Sequence, residues 1–195
     1  MRARHLKATL ARVAMSPRQP AVLAALPAGL VERVEEAYGG DWLPLDLDVV
    51  LARAIRGALS PAEHHAFCVG AVRSSFEGPL LGALVHAALA VLGRDVRRIA
   101  GWVPKGWALT FQEAGAWAVR AAPDLPQVEL TLSALPPVCT ADDAWVAAVA
   151  SSLSAICDLA GVEGRVRLLR LDADQRRADY LLRWAPTTPP AAETT

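Results

Sequence analysis

The apolar residues of this chain change their repeat part-way along, and that change constrains the fold more than any other feature. In the first half they recur every three or four residues, the period of a helix with one face buried. Leu47, Val50, Leu51, Ala54, Ile55 and Ala58 are the clearest run. From about Trp107 the spacing drops to two, the period of a strand with one face buried. Trp107, Leu109 and Phe111 alternate with Ala108, Thr110 and Gln112. Trp117, Val119 and Ala121, then Val128, Leu130 and Leu132, do the same. Glu113–Gly115 and Pro123–Pro126 are short enough for hairpin loops, so these three strands are expected to pair antiparallel.

Helix punctuation fills in the first half. Helices are predicted over Leu6–Ala14, Arg18–Leu26, Gly29–Tyr38 and Asp46–Leu59, with Gly39-Gly40 closing the third through a left-handed residue. Ser60-Pro61-Ala62-Glu63 reads as a capping box with proline at the first helical position, opening a helix to about Phe76. Gly78-Pro79 breaks it. Leu80–Leu92 reads as a buried helix, too short and too interrupted to span a bilayer, and Arg94–Ala100 adds a turn or two. After the third strand, Thr140 and the acidic pair Asp142-Asp143 start a long helix to Ala160, closed by Gly161. Arg165–Leu171 and Ala178–Trp184 are two further strands. The expected architecture is α+β: a helical N-terminal half on one face of a five-stranded antiparallel sheet, in the order helices-β-β-β-α-β-β. Residues 1–185 are expected to form one domain. The Pro-, Thr- and Ala-rich stretch 186–195 lacks apolar anchors and is expected to be disordered.

Composition excludes some functions. Lys plus Arg and Asp plus Glu each total 20, so no global field draws the chain to nucleic acid or an anionic membrane. The basic start, Arg2, Arg4, Lys7 and Arg12, carries the stripe Leu6, Leu10 and Val13, which reads as a docked helix or a surface anchor. Cys68, Cys139 and Cys157 form no CxxC pair and no disulfide framework, which fits a reducing cytoplasm.

The order of landmarks resembles a large paralogous family of myxobacterial proteins of about this length. The matching pieces are Leu26-Pro27 before an acidic helix, Asp41-Trp42-Leu43-Pro44, the Trp102–Trp107 segment, Leu135-Pro136-Pro137, Leu159-Ala160-Gly161 and Trp184. That family is distantly similar to the folds of the 4-vinyl-reductase, haem-nitric-oxide-binding and TRAPP-subunit type. The resemblance implies helices against an antiparallel sheet with a pocket between them, and a sensing or scaffolding role. Vinyl-reductase-type members often carry paired cysteines in the last hairpin. Here the hairpin from Asp172 to Asp179 has none.

The candidate chemistry is sparse. His64 and Cys68, four apart on one helix, can face one metal if His86 supplies a third ligand. Cys139, just before the predicted long helix, is a candidate thiolate. The acid pairs Asp46/Asp48, Asp142/Asp143 and Asp172/Asp174 sit where aspartate caps helices and turns. Arg165, Arg167, Arg170, Arg176 and Arg177 form a basic region with Asp172, Asp174 and Asp179 as its expected partners. Trp107, Trp117 and Trp145 are placed to meet between sheet and crossing helix, as a core or as the lining of an apolar pocket. The chain therefore reads as a non-catalytic sensor or adaptor for protein partners or a small apolar ligand. The alternatives are a ligand-free homodimeric scaffold and a metal- or thiol-dependent enzyme. No cofactor is assigned. The expected partner is a second copy or another protein, docked through Leu80–Leu92, whose apolar residues exceed what one sheet face can cover.

Overall fold

A computed structural model describes residues 1–77, 89–90 and 93–185. The helices run α1 Ala3–Ala14, α2 Gln19–Ala24, α3 Leu30–Glu36, α4 Leu45–Ala58, α5 Pro61–Glu77, α6 Val96–Ala100 and α7 Val103–Thr110. The strands β1 Ala116–Ala121 and β2 Gln127–Ser133 follow, then α8 Ala144–Leu153, α9 Ala155–Ala160, β3 Gly164–Asp172 and β4 Arg177–Trp184. The sheet has four strands in the order β1-β2-β4-β3, and every neighbouring pair is antiparallel. The expected helix Leu80–Leu92, the association surface placed on it and the expected tail lie mostly or wholly outside the described residues.

The α+β class and four of the five expected strands are present. The exception is the segment around Trp107, which is helical in α7. Val103, Trp107 and Phe111 are spaced by four, share one face and pack on the main core, while Leu109 is 58% exposed. Three apolar residues at alternate positions satisfied the strand pattern, but the i, i+4 pair Trp107 and Phe111 stacks with ring centroids 4.0 Å apart, a contact only a helix brings about at that spacing. Glu113–Gly115 is therefore a helix-to-strand link and not a hairpin loop. Gly115 sits there at φ +89°, with Ser133 O only 2.6 Å from where a Cβ would stand.

The long helix is also modified. Residues 141–143 form a bend outside the helix, and a break at Ser154 separates α8 from α9. Ser154 Oγ donates to Ala150 O (3.2 Å) and accepts from Val166 N–H (2.9 Å). A serine bonded back to the carbonyl four residues earlier bends a helix. Here it also satisfies an outward-facing amide of the edge strand β3. Thr140 donates to Pro137 O and caps no helix. Asp142 accepts from Ala144 N–H (2.9 Å) and pairs with Arg53, while Asp143 pairs with Arg56, so the acid pair fastens the start of α8 to α4. The end of α3 differs too: Ala37 is extended, and neither Gly39 nor Gly40 is left-handed. The capping box holds as read, with Ser60 N–H on Glu63 Oε2 at 2.8 Å and Glu63 N–H on Ser60 Oγ at 3.4 Å.

Two apolar clusters result. Val128, Leu130 and Leu132 of β2, Ala178, Tyr180 and Leu182 of β4, and Val166 of β3 turn one face of the sheet toward Trp145, Val149 and Ile156. Leu6, Val13, Val22, Leu30, Val34 and Phe67 gather the outer helices. Helix α4 serves both, with Val49 and Ala52 in the first and Leu51, Ala54 and Ile55 in the second. The basic helix α1 is docked by Leu6 and Val13, while Arg4 and Lys7 reach backbone carbonyls at Leu109 and Glu35. Among the described residues no helix is long and apolar enough to cross a membrane.

Candidate functional site

The three tryptophans singled out in the sequence meet between the helices and the sheet. Helix α7 delivers Trp107, β1 delivers Trp117 on the covered face beside Leu132, and α8 delivers Trp145. Trp107 lies edge-on to Trp117 (centroids 5.5 Å) and to Trp145 (5.8 Å). Phe111 and Tyr180 complete the group, Tyr180 at 5.4 Å from Trp117 and Phe111 at 6.1 Å from Trp145. The edge-on pairs Trp107–Trp117, Trp107–Trp145 and Phe111–Trp145 set the positive edge of one ring on the negative face of the next, while Tyr180 is tilted at 42° to Trp117.

The polar atoms of these rings divide sharply. Trp145 Nε1 donates to Asp48 Oδ2 at 2.7 Å in a buried bond from α8 to α4. His5 Nε2 stands 3.6 Å from the other Asp48 oxygen, and the His5 ring meets Phe111 edge-on. The indole N–H groups of Trp107 and Trp117 and the Tyr180 hydroxyl are buried and have no hydrogen-bond partner among the described residues. Buried polar groups are nearly always paired, and each one left unpaired costs about 1–3 kcal/mol. Three such donors fall in one aromatic cluster. Burial also pushes the Tyr180 phenol far above its ordinary ionisation, with Cys139 and Asp179 adding to the effect, so its hydroxyl stays protonated.

The other candidates separate. Cys68 Sγ and His64 Nε2 are 3.7 Å apart and buried on α5, so the predicted facing is present. Burial, then the Asp48 charge, pushes the Cys68 thiol up to about 12, against the opposing pull of Arg12. Burial, then the nearby Arg56 charge, lowers His64. Both groups are neutral at pH 7. His86 lies outside the described residues, and no cluster of three or more His, Cys, Asp and Glu suited to a metal occurs among those described. Cys139 lies in a short 3-10 turn, Pro137–Cys139, well before α8 begins. Its burial raises the thiol to about 12, the reverse of the activation expected next to a helix N-terminus. Cys157 is pushed up to about 11. Of the basic region, Arg170 and Arg177 pair with Asp172 and Asp179 as expected. Arg176 is drawn instead to the Leu135 carbonyl, and Asp174 stands in the solvent-exposed turn.

Tyr180 is unmarked in the sequence, and Asp48 reads there only as one of an acid pair at a helix start. Asp48 looks like any first-turn acid, and Tyr180 like any inward strand residue. Only their contacts distinguish them.

No protein-family model matches the sequence, and no curated protein is significantly similar to it. Solved structures do match over nearly the whole chain. The Fe(II) unliganded H-NOX protein from K. algicida superposes with a TM-score of 0.66 at 6% identity, covering 95% of this chain and 97% of that one. A Cs H-NOX mutant carrying 4-cyano-L-phenylalanine gives 0.64 at 9%, covering 95% and 97%. A doubly substituted Tt H-NOX gives 0.59 at 7%, covering 95% and 96%. The chain thus has the fold of the H-NOX proteins.

A fold of that kind raises the question of haem. The described residues do not fit it. The described space between helices and sheet holds five rings linked by successive ring contacts, which a macrocycle as large as haem would have to part. Of the possible axial ligands nearby, Cys139 is a protonated thiol and His5 is turned to Asp48.

Proposed function

We propose that this chain is a non-catalytic sensor or binding module that holds a small, largely apolar ligand between its helices and its sheet. The observation that carries the reading is the set of three unpaired donors, Trp107 Nε1, Trp117 Nε1 and Tyr180 Oη, within one aromatic cluster. An apolar body suits the rings, and one or two hydrogen-bond acceptors suit the donors. The likeness of fold to the H-NOX proteins supports a sensing or binding role. Neutral His64 and protonated cysteines weigh against thiol or metal chemistry. The resemblance to the myxobacterial family, the cytoplasmic location and association with a second copy or another protein belong to the same proposal.

Native mass spectrometry of the gently purified protein tests it. The expected result is a native mass exceeding the denatured mass by one small organic molecule, with the excess lost in a Trp117→Phe, Tyr180→Phe double variant that remains folded. A bare native mass, together with no quenching of tryptophan fluorescence by 8-anilinonaphthalene-1-sulfonate, refutes the reading. A Soret band in the absorption spectrum would replace it with haem binding.

A further inference from the structure

The sheet turns one face to the helices and the other to solvent, as antiparallel sheets commonly do. Val128, Val166 and Leu182 point inward, so the residues beside them on each strand point outward. The register lines these outward residues up in rows. The first is Arg165–Arg183–Gln127 and the second Arg167–Leu181–Glu129–Arg120. Then come Arg170–Asp179–Thr131–Ala118 and Asp172–Arg177. Arginine thus outnumbers acid on this face of a chain whose formal net charge is zero.

The two ends of the face differ. In the last two rows Arg170 pairs with Asp172, Arg177 pairs with Asp179, and Thr131 donates to Asp179. In the first two rows Arg120, Arg165, Arg167 and Arg183 have no ion-pair partner among the described residues. Arg183 Nε donates to a neutral amide oxygen, Gln127 Oε1, at 3.3 Å. All four arginines are exposed. Arg165 directly opposes Arg183, and Arg167 follows on the same side of β3. Like charges placed directly opposite destabilise a sheet. Half-buried Leu181 lies among them, between Arg167 and Glu129.

We infer that this end of the open sheet face docks an acidic surface of another protein. Guanidinium forks match carboxylates in pairs, and a partner's carboxylates offset the Arg165–Arg183 repulsion. Arginines around an apolar side chain also suit a protein interface, where arginine is enriched. Nucleic acid fits less well: the four rows hold no aromatic ring for a base to stack on, and Glu129 would face its phosphates. The inference gives a surface and a chemistry to the protein partner of the proposed module. It does not depend on the ligand proposed at the aromatic cluster.

The probe is a fluorescein-labelled peptide of alternating Glu and Ser. In an extended chain its carboxylates recur on one side every ~7 Å, as Arg165 and Arg167 do along β3. Anisotropy titration of the full chain should show binding that weakens with added salt. Arg165→Gln with Arg167→Gln should weaken it by roughly two- to fivefold per arginine lost. A charge-matched variant on the helices, Arg33→Gln with Lys105→Gln, should bind as the wild type does. If the first double variant fails to fold, Arg120→Gln and Arg183→Gln taken singly carry the same comparison. No binding by the wild type at low salt, or equal weakening in both double variants, would overturn the inference. So would tighter binding of a single-stranded oligonucleotide of equal charge, which would give the face to nucleic acid. A dimer of the free protein in sedimentation, abolished by the sheet arginine variants alone, would overturn it in favour of a second copy.

Discussion

Replacing Tyr180 by Phe isolates one hydroxyl. The side chain is 1% exposed, so the ring keeps its place against Trp117 and only the oxygen is lost. In the ligand-free protein that oxygen has no partner among the described residues. A buried unpaired hydroxyl costs about 1–3 kcal/mol, and deleting it returns that amount. For a chain of this size each 1 kcal/mol moves the melting temperature by roughly 2–4 °C. Tyr180→Phe, stripped of ligand by unfolding and refolding, should therefore melt several degrees above the wild type. The loaded protein should show the opposite sign. There the hydroxyl donates to the ligand, a bond worth about 0.5–1.5 kcal/mol net, so the variant should bind the co-purified ligand several-fold more weakly. Differential scanning calorimetry on stripped and loaded samples reads both. A stripped variant less stable than wild type by about 1 kcal/mol or more would refute the reasoning, since the hydroxyl would then have had an internal partner.

Three further predictions concern stability. Burial lowers the His64 pKa below its ordinary 6.5, so the unfolded chain takes up a proton before the folded one does; this contribution is complete above pH 6.5 and is lost as pH falls through the folded value. Denaturant midpoints should drop on acidification from pH 7, and less so in His64→Gln. On the alkaline side, thiols raised from 9 to about 12 at Cys68 and Cys139 favour the fold fully below pH 9 and lose that contribution between pH 9 and 12, so replacing either cysteine with Ala should flatten the fall. Gly164→Ala should cost about 1–3 kcal/mol by overpacking, because its Cβ would stand 2.5 Å from Arg183 O and 2.6 Å from Cys157 Sγ. Urea unfolding showing no loss would mean that the start of β3 lies farther from β4 and α9.

The chain's own pattern determined its class, the antiparallel strands β1 to β4 and most helix starts, because those depend on local periodicity and on short-range capping such as Ser60 with Glu63. It also named Trp107, Trp117 and Trp145 as residues able to meet. It misread α7, since three apolar residues at alternate positions also fit a helix when the outer two are four apart, and which pattern wins depends on what each face packs against. Tertiary structure alone decided that Leu109 points to water while Trp107 and Phe111 stack beneath Trp145. It alone decided that Asp48 accepts from Trp145 Nε1, and that the Trp117 and Tyr180 donors have no partner among the described residues. The physical reason is the same in each case: the deciding contact lies far along the chain, 97 positions for the Trp145–Asp48 bond, or is missing among the described residues, and neither condition leaves a mark on the residues beside it.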